Sequence, residues 1–286
     1  MSDPGPDASA FGDLITTTVR VATWNLWWMF GPWQERAPRI ERVLADIDAD
    51  VVCLQEVWVD LSTGESSASR LAEALGYHVA VANAAELEGV GFANAVLSRW
   101  PIRSSAWEAL PSPAEFEEHR VVLRADVDGP RGPMQVFTTH LHWRMDHSHI
   151  RQEQVRAIGA FVAGSPDRTF PAVLCGDFNA EPDSDEVRML VGKSATAWPG
   201  LVFFDGWAMA TADPDTGAPA PGNTWSNRNP WAAGDLEPGR RIDYVFSGWP
   251  KAGGAGHPVR ARLFGTEPVE GVWPSDHFGL LVELRY

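Results

Sequence analysis

The sequence predicts an α/β domain with many strands. Nine short runs are β-branched or alternate closely enough to be strands, stretches of helical period lie between several of them, and 286 residues with 44% hydrophobic content suffice for one large core. The length fits one domain or two small ones. With no internal repeat and no shift of composition to mark a boundary, a single domain over residues 15–286 is expected.

Residues 1–14 are rich in Pro, Gly, Asp and Ser and predict a frayed, disordered tail. VRVATWN (19–25) is the first strand. Ile40, Val43, Leu44 and Ile47 then form the apolar stripe of a helix, with Pro38 in its first turn. VVCLQEV (51–57) is a strand, and a helix over 66–75 buries Leu71 and Leu75 and stops at Gly76. HVAVAN (78–83), ANAVLS (93–98), VVLRADV (121–127) and MQVFTTHL (134–141) are further strands. The stretch 148–163 places Val155, Ile158 and Val162 at helical spacing before Gly164. AVLCGDF (172–178) is a strand, and Ser184 caps a short helix holding Val187, Leu190 and Val191. Residues 211–240 show no period and read as one long loop, after which RIDYVFS (241–247) and GLLVEL (279–284) are strands.

Charge narrows the function. Lys plus Arg total 23 against 38 Asp plus Glu, a formal charge of -15, so the basic footprint of a protein that grips long nucleic acid is missing. Lys193 and Lys251 are the only lysines and the arginines are scattered, which disfavours long duplex DNA as a partner. A phosphate substrate stays open, because a bound divalent ion reverses the local field. No run approaches the roughly 20 apolar residues of a membrane span, and the first residues lack the basic start and apolar stretch of an export signal, so a cytoplasmic protein without membrane contact is expected. Cys53 and Cys175 sit in apolar runs and read as reduced core residues.

The polar residues of interest end or occupy the apolar strands: Asn25, Glu56, His140, Asp177, Asn179, Asp243, Asp276 and His277. Singly, each has an ordinary explanation as a turn residue, a cap or a satisfied core histidine. Together, carboxylates and an Asn amide are hard oxygen ligands suited to Mg²⁺ or Mn²⁺, while the Cys-His spacing of zinc sites is missing. His142, His147 and His149 match no standard ligand spacing and read as a solvated loop leading into a helix.

TWN, LQE, THL, GDFN, RIDY and SDH, in this order from about residue 19 to the C-terminus, resemble the endonuclease/exonuclease/phosphatase superfamily. The resemblance implies a DNase I-like four-layer sandwich, two packed β-sheets flanked by helices, with one active site at an edge. It implies that Glu56 is the principal metal ligand, that Asn25 orients the metal or phosphate, and that Asp276 completes the metal site. It further implies that Asp177 is the candidate for activating water, with the choice between Asp177 and His277 as proton acceptor left open, that Asn179 holds the phosphate, that His277 faces the phosphorus oriented by Asp243, and that His140 donates to a non-bridging oxygen. Asn94 falls where relatives place a small polar residue beside the phosphate. Trp27 stands where abasic-site endonucleases of the superfamily carry an Asp, which argues against that subgroup.

These readings lead to a metal-dependent phosphoesterase acting on a phosphodiester or phosphomonoester of a small molecule or short single-stranded nucleic acid. A DNase I-like endonuclease on duplex DNA is the alternative, disfavoured by charge. A catalytically silent binding module is the alternative of another class, disfavoured because every expected position is filled. A sphingomyelinase-type function is disfavoured by the missing export signal and the lack of an obvious exposed apolar hairpin. Trp225 and Trp231, before RIDY, are either buried packing residues or a stacking wall for a flat group beside the phosphate.

Overall fold

The computed structural model describes residues 10–113, 118–166 and 168–286. One six-stranded sheet is formed by β1 (Thr18–Asn25), β2 (Val51–Asp60), β3 (His78–Leu87), β4 (Val90–Ser98), β11 (Pro258–Phe264) and β12 (Gly279–Arg285), in the order β11-β12-β1-β2-β4-β3. The other contains β5 (Ile102–Ala109), β6 (Val121–Gly129), β7 (Gly132–His140), β8 (Val173–Asp177), β9 (Phe203–Asp205) and β10 (Asp243–Gly248), in the order β5-β6-β7-β8-β10-β9. Each sheet has one parallel pair, β1 with β2 and β7 with β8. Parallel neighbours need a long crossover, supplied by helices α1 (Trp33–Ile47) and α3 (Ser148–Ala163).

Strand alternation builds the layers. Val19, Val21, Val51 and Cys53 point inward to meet Val121, Leu123, Val136, Val173, Cys175 and Val245 of the opposite sheet. The alternate residues Ala22, Trp24, Val52 and Leu54 meet Ile40, Val43, Leu44 and Ile47 of α1 and Leu71 of α2 (Ser67–Leu75). On the far side Val122, Phe137, Leu174 and Phe246 pack on Val155, Ile158 and Val162 of α3 and on Val187 of α4 (Asp185–Leu190). Central strands buried on both faces explain why their runs are so uniformly apolar. The result is the expected four-layer sandwich. Two short helices, α5 (Gly206–Ala210) and α6 (Pro230–Ala233), complete the set. Both cysteines are buried and free.

The structure departs from the sequence reading at several points. β5, β9 and β11 escaped it, because edge strands bury little: β5 exposes most of its residues and β9 is three residues long. α1 begins a turn earlier than its apolar stripe, with the Glu35 and Arg36 N–H groups bonded to the Pro32 carbonyl, so Pro38 lies inside the helix rather than in its first turn. Ser184 stands at the N-cap of α4, but its hydroxyl accepts from the Glu181 N–H instead of a helical one. His142 and His147 are buried, their rings 4.6 Å apart, while residues 143–146 and His149 are exposed, so the stretch entering α3 is solvated except at these two inward-turned imidazoles. Arg151 causes this by donating to the carbonyls of His142 and Arg144 and drawing the chain onto α3. The tip of the β3–β4 hairpin exposes Leu87 between the exposed Glu86 and Glu88, a single apolar side chain rather than an apolar hairpin.

Residues 1–9 of the expected tail lie outside the described residues. Farther along that segment, Phe11 and Ile15 exchange backbone hydrogen bonds with Gly253. Among the described residues no helix is long and apolar enough to cross a membrane.

Candidate active site

Strand register delivers most of the polar set to one edge of the sandwich. His140, Asp177 and Asp243 are direct partners across β7, β8 and β10, and Asn25 pairs with Gln55 across β1 and β2. The close approach of β7 and β8 demands a glycine before Asp177: a Cβ on Gly176, at φ 143°, would meet the Thr139 carbonyl oxygen at 2.0 Å.

Glu56 is aimed by strain. The β2–β4 register shifts between Leu54 and Val57, and within this bulge Glu56 adopts φ 54°, a left-handed conformation that β-strand residues avoid. Trp27 (φ 58°), Trp28 (φ 34°) and Asn179 (φ 49°) are also left-handed, so half of the eight described non-glycine residues with positive φ surround this edge. The Asn25 amide nitrogen donates to Glu56 Oε1 at 3.0 Å and to Asp177 Oδ2 at 3.1 Å. Its oxygen accepts from the Trp27 N–H at 2.9 Å, and these three partners together set the amide's orientation. Asn25 therefore ties the two carboxylates together through nitrogen rather than offering a free oxygen ligand.

His277 and Asp243 form a buried pair, Nδ1 to Oδ2 at 2.9 Å, with His277 Nε2 3.8 Å from Asp177 Oδ2. Burial opposes the imidazolium, but Asp243, Asp276 and Asp177 outweigh it and push His277 up to about 10. Burial and the Asp243 charge push Asp177 up to about 6, against the opposing pull of His277 and the Asn179 and Asn25 N–H donors. His140 Nε2 lies 3.4 Å from the same Asp177 oxygen, and burial holds this imidazole well below its usual range, in the neutral form. The raised Asp177 carboxyl thus faces one cationic and one neutral imidazole. Asn179 donates its backbone N–H to Asp177 Oδ1 and its side-chain amide to the Leu141 carbonyl.

Two arrangements could hold a cation. Asp177, Asp243 and His277 offer ligand atoms within 4.8 Å of one another, but His277 Nδ1 is already engaged by Asp243 Oδ2, and Asp243, although its Oδ1 has no partner, is wholly buried and does not line the cleft. Glu56 and Asp276 fit a hard cation better. Both line the cleft, Glu56 Oε2 is buried without a partner, and burial followed by the Glu56 charge pushes Asp276 up to about 7, while burial and the Asp177 charge raise Glu56. Carboxylate oxygens on a cleft wall suit an ion that keeps several waters.

The cleft above these groups measures about 870 Å³. Trp27, Phe30, Phe92, Trp143 and Trp225 are among its walls, together with Asn179, His140 and His277. Trp225 sets its ring edge-on to His277, centroids 5.0 Å apart, while Trp231 stacks at 5.0 Å on Trp27 and reaches the cleft only through it. Asn94 stands apart: it is buried, and its amide donates to the Val121 carbonyl between the two sheets.

Sequence reasoning missed the residues that hold the site from behind. Thr224 Oγ1 accepts from the N–H groups of both Ile242 and Asp243. The Asn229 amide donates to the Ser275 and Asp276 carbonyls, and Ser275 Oγ donates to the Asn25 carbonyl. All sit in irregular chain, where no periodicity flags them. The N-P step at 229–230, typical of a helix start, was the one local signal.

Protein angel of Drosophila melanogaster is 29% identical over 196 residues, covering 62% of this chain and 53% of its own. YbhP of Escherichia coli K12 is 30% identical over 155 residues, covering 50% of this chain and 58% of its own. The chain thus spans little more than half the length of these relatives. Among solved structures, D. rerio TDP2 complexed with single strand DNA product superposes with a TM-score of 0.72 at 20% identity, over 94% of this chain and all of that one, and shares the fold. The sequence profile of the Endonuclease/Exonuclease/phosphatase family, whose members are hydrolases acting on phosphoesters, matches residues 22–277, and the chain belongs to that family.

Proposed function

We propose that the chain is a divalent-metal-dependent phosphoesterase that hydrolyses a phosphodiester or phosphomonoester of a small or single-stranded substrate. The convergence of Glu56, His140, Asp177, Asp243, Asp276 and His277 on one edge, five of them lining an aromatic-walled cleft, carries this reading. A Mg²⁺ or Mn²⁺ ion held by Glu56 and Asp276 supplies polarisation of a phosphoryl oxygen when bound. Asp177 takes the proton from the attacking water, because its carboxyl titrates near 6 whereas His277, held protonated, has no room for another proton. His277 donates through Nε2 to the phosphate, oriented by Asp243. His140 and Asn179 donate to non-bridging oxygens.

Substrate size follows from the cations at the cleft. Arg120 is bonded to Glu118 and Arg240 to Glu237, so both arginines of the lining are already neutralised, and Glu86 and Asp235 add further negative charge. A duplex would find no cationic track here. A short chain or single nucleotide needs only the reaction centre and a flat wall. The D. rerio protein bound to single strand DNA product supports this reading through the shared fold. The buried, free cysteines agree with a reducing, cytoplasmic setting.

The test is a panel of p-nitrophenyl phosphate, bis-p-nitrophenyl phosphate, dinucleotides and plasmid DNA, assayed with Mg²⁺, Mn²⁺ or EDTA. Turnover of the small esters only with metal is expected. Inactivity on every ester, or preference for the plasmid, overturns the proposal.

A further inference from the structure

Arg36 lies in the second half of the first turn of α1, yet its guanidinium is buried, with 1% of the residue exposed. Among the described residues it forms no ion pair within 4 Å. Its donors go to backbone carbonyls instead: Nη1 to Leu26 at 2.8 Å and Pro274 at 2.9 Å, and Nη2 to Trp27 at 2.8 Å, Trp28 at 3.0 Å and Phe30 at 2.9 Å. Its central carbon also lies 4.8 Å from the Trp27 ring centroid. One side chain therefore fastens four carbonyls of the loop between β1 and α1, and a fifth two residues before Asp276.

That loop is costly to hold. Trp27 and Trp28 are consecutive left-handed residues, and Gly31 packs so tightly that a Cβ there would meet the Trp27 ring at 2.6 Å. The same loop supplies Trp27 and Phe30 to the cleft wall, and Trp27 carries Trp231. A fork-shaped donor satisfies five divergent carbonyls, whereas a lysine offers three hydrogens from one point.

We propose that Arg36 is a positioning residue that sets the aromatic wall of the cleft and thereby the affinity for a substrate with a flat group, without touching the reacting atoms. The proposal rests on the phosphoesterase reading for its kinetic arm only. The full-length chain is labelled with fluorotryptophan, and Arg36→Ala and Arg36→Lys are compared with the wild type on bis-p-nitrophenyl phosphate and a dinucleotide, with and without about 20 mM guanidinium. KM should rise about tenfold with kcat changed less than about threefold. The fluorine resonances of Trp27 and Trp28, assigned by single replacement, should move, and guanidinium should return both KM and resonances of Arg36→Ala toward wild type. Arg36→Lys, which retains the stem and charge, should show the same rise in KM and provides the measurement if Arg36→Ala does not fold. Unchanged KM and resonances in a folded variant overturn the proposal, as does a collapse of kcat at constant KM. A wild type inactive on both esters overturns the phosphoesterase reading, while the resonances and their recovery still decide the role of Arg36.

Discussion

His277 and Asp243, 34 residues apart in sequence, meet at 2.9 Å in the buried rear of the cleft, and the pair decides how the imidazole faces the cleft. Trp225 braces the other side of the ring. Removing the ring should therefore cost more than removing its partner's charge. His277→Ala is expected to lower kcat by about 10³-fold, and Asp243→Asn by about 10- to 100-fold, with the fold intact by circular dichroism. Equal kcat for Asp243→Asn and wild type would falsify the pair's role.

Glu56 should govern metal use, since its unpartnered oxygen and Asp276 are carboxylate donors that both line the cleft. Glu56→Gln keeps the shape and the left-handed backbone but removes the charge. Its apparent Mn²⁺ affinity, measured by calorimetry and by activity titration, should fall about 10- to 100-fold. Activity surviving excess EDTA in the wild type would remove the metal from the reaction.

The two tryptophans of the 211–240 loop should behave differently. Trp225 is 8% exposed and packs on His277, so Trp225→Ala should cost about 3 kcal/mol, lowering Tm by roughly 6 to 12 °C along with kcat. Trp231 is 40% exposed and rests on Trp27. Trp231→Ala should leave Tm within about 2 °C and raise KM several-fold for a substrate with a flat group, by freeing Trp27, the wall residue it supports. Matching Tm losses in the two variants would assign both indoles to packing.

Asp48 ends α1 in the left-handed conformation, φ 46°, where its carboxylate accepts from Arg20 and Arg99. These hydrogen bonds hold its pKa below the ordinary 3.8. A depressed carboxyl contributes stability that is present above the unfolded value and is lost as pH falls through the folded one. Asn tolerates the same backbone, so Asp48→Asn isolates the charge. The side chain is 58% exposed, which limits the effect to about 1 kcal/mol or less. Denaturant midpoints should differ at pH 7 and converge well below pH 3.8; a pH-independent gap would assign the effect to the backbone.

The central strands and their catalytic ends were legible in the sequence because strands buried on both faces leave unbroken apolar runs. An Asn, Glu, His or Asp at the end of such a run is therefore conspicuous. Which residues of those runs face the opposite sheet and which face the helices was fixed only by the packed layers. What tertiary structure alone decided was direction and partnership. Asn25 turns its nitrogen to the carboxylates because the Trp27 N–H claims its oxygen, and Asn94 spends its amide between the sheets. His142 is buried because Arg151 draws its loop inward, and nothing in the sequence singles out Arg36, whose five carbonyl partners come from two segments distant in the chain. Composition and periodicity report how much of a residue's surface is apolar, but a hydrogen bond depends on where two backbones cross, and that is set only when both sheets have closed on one core.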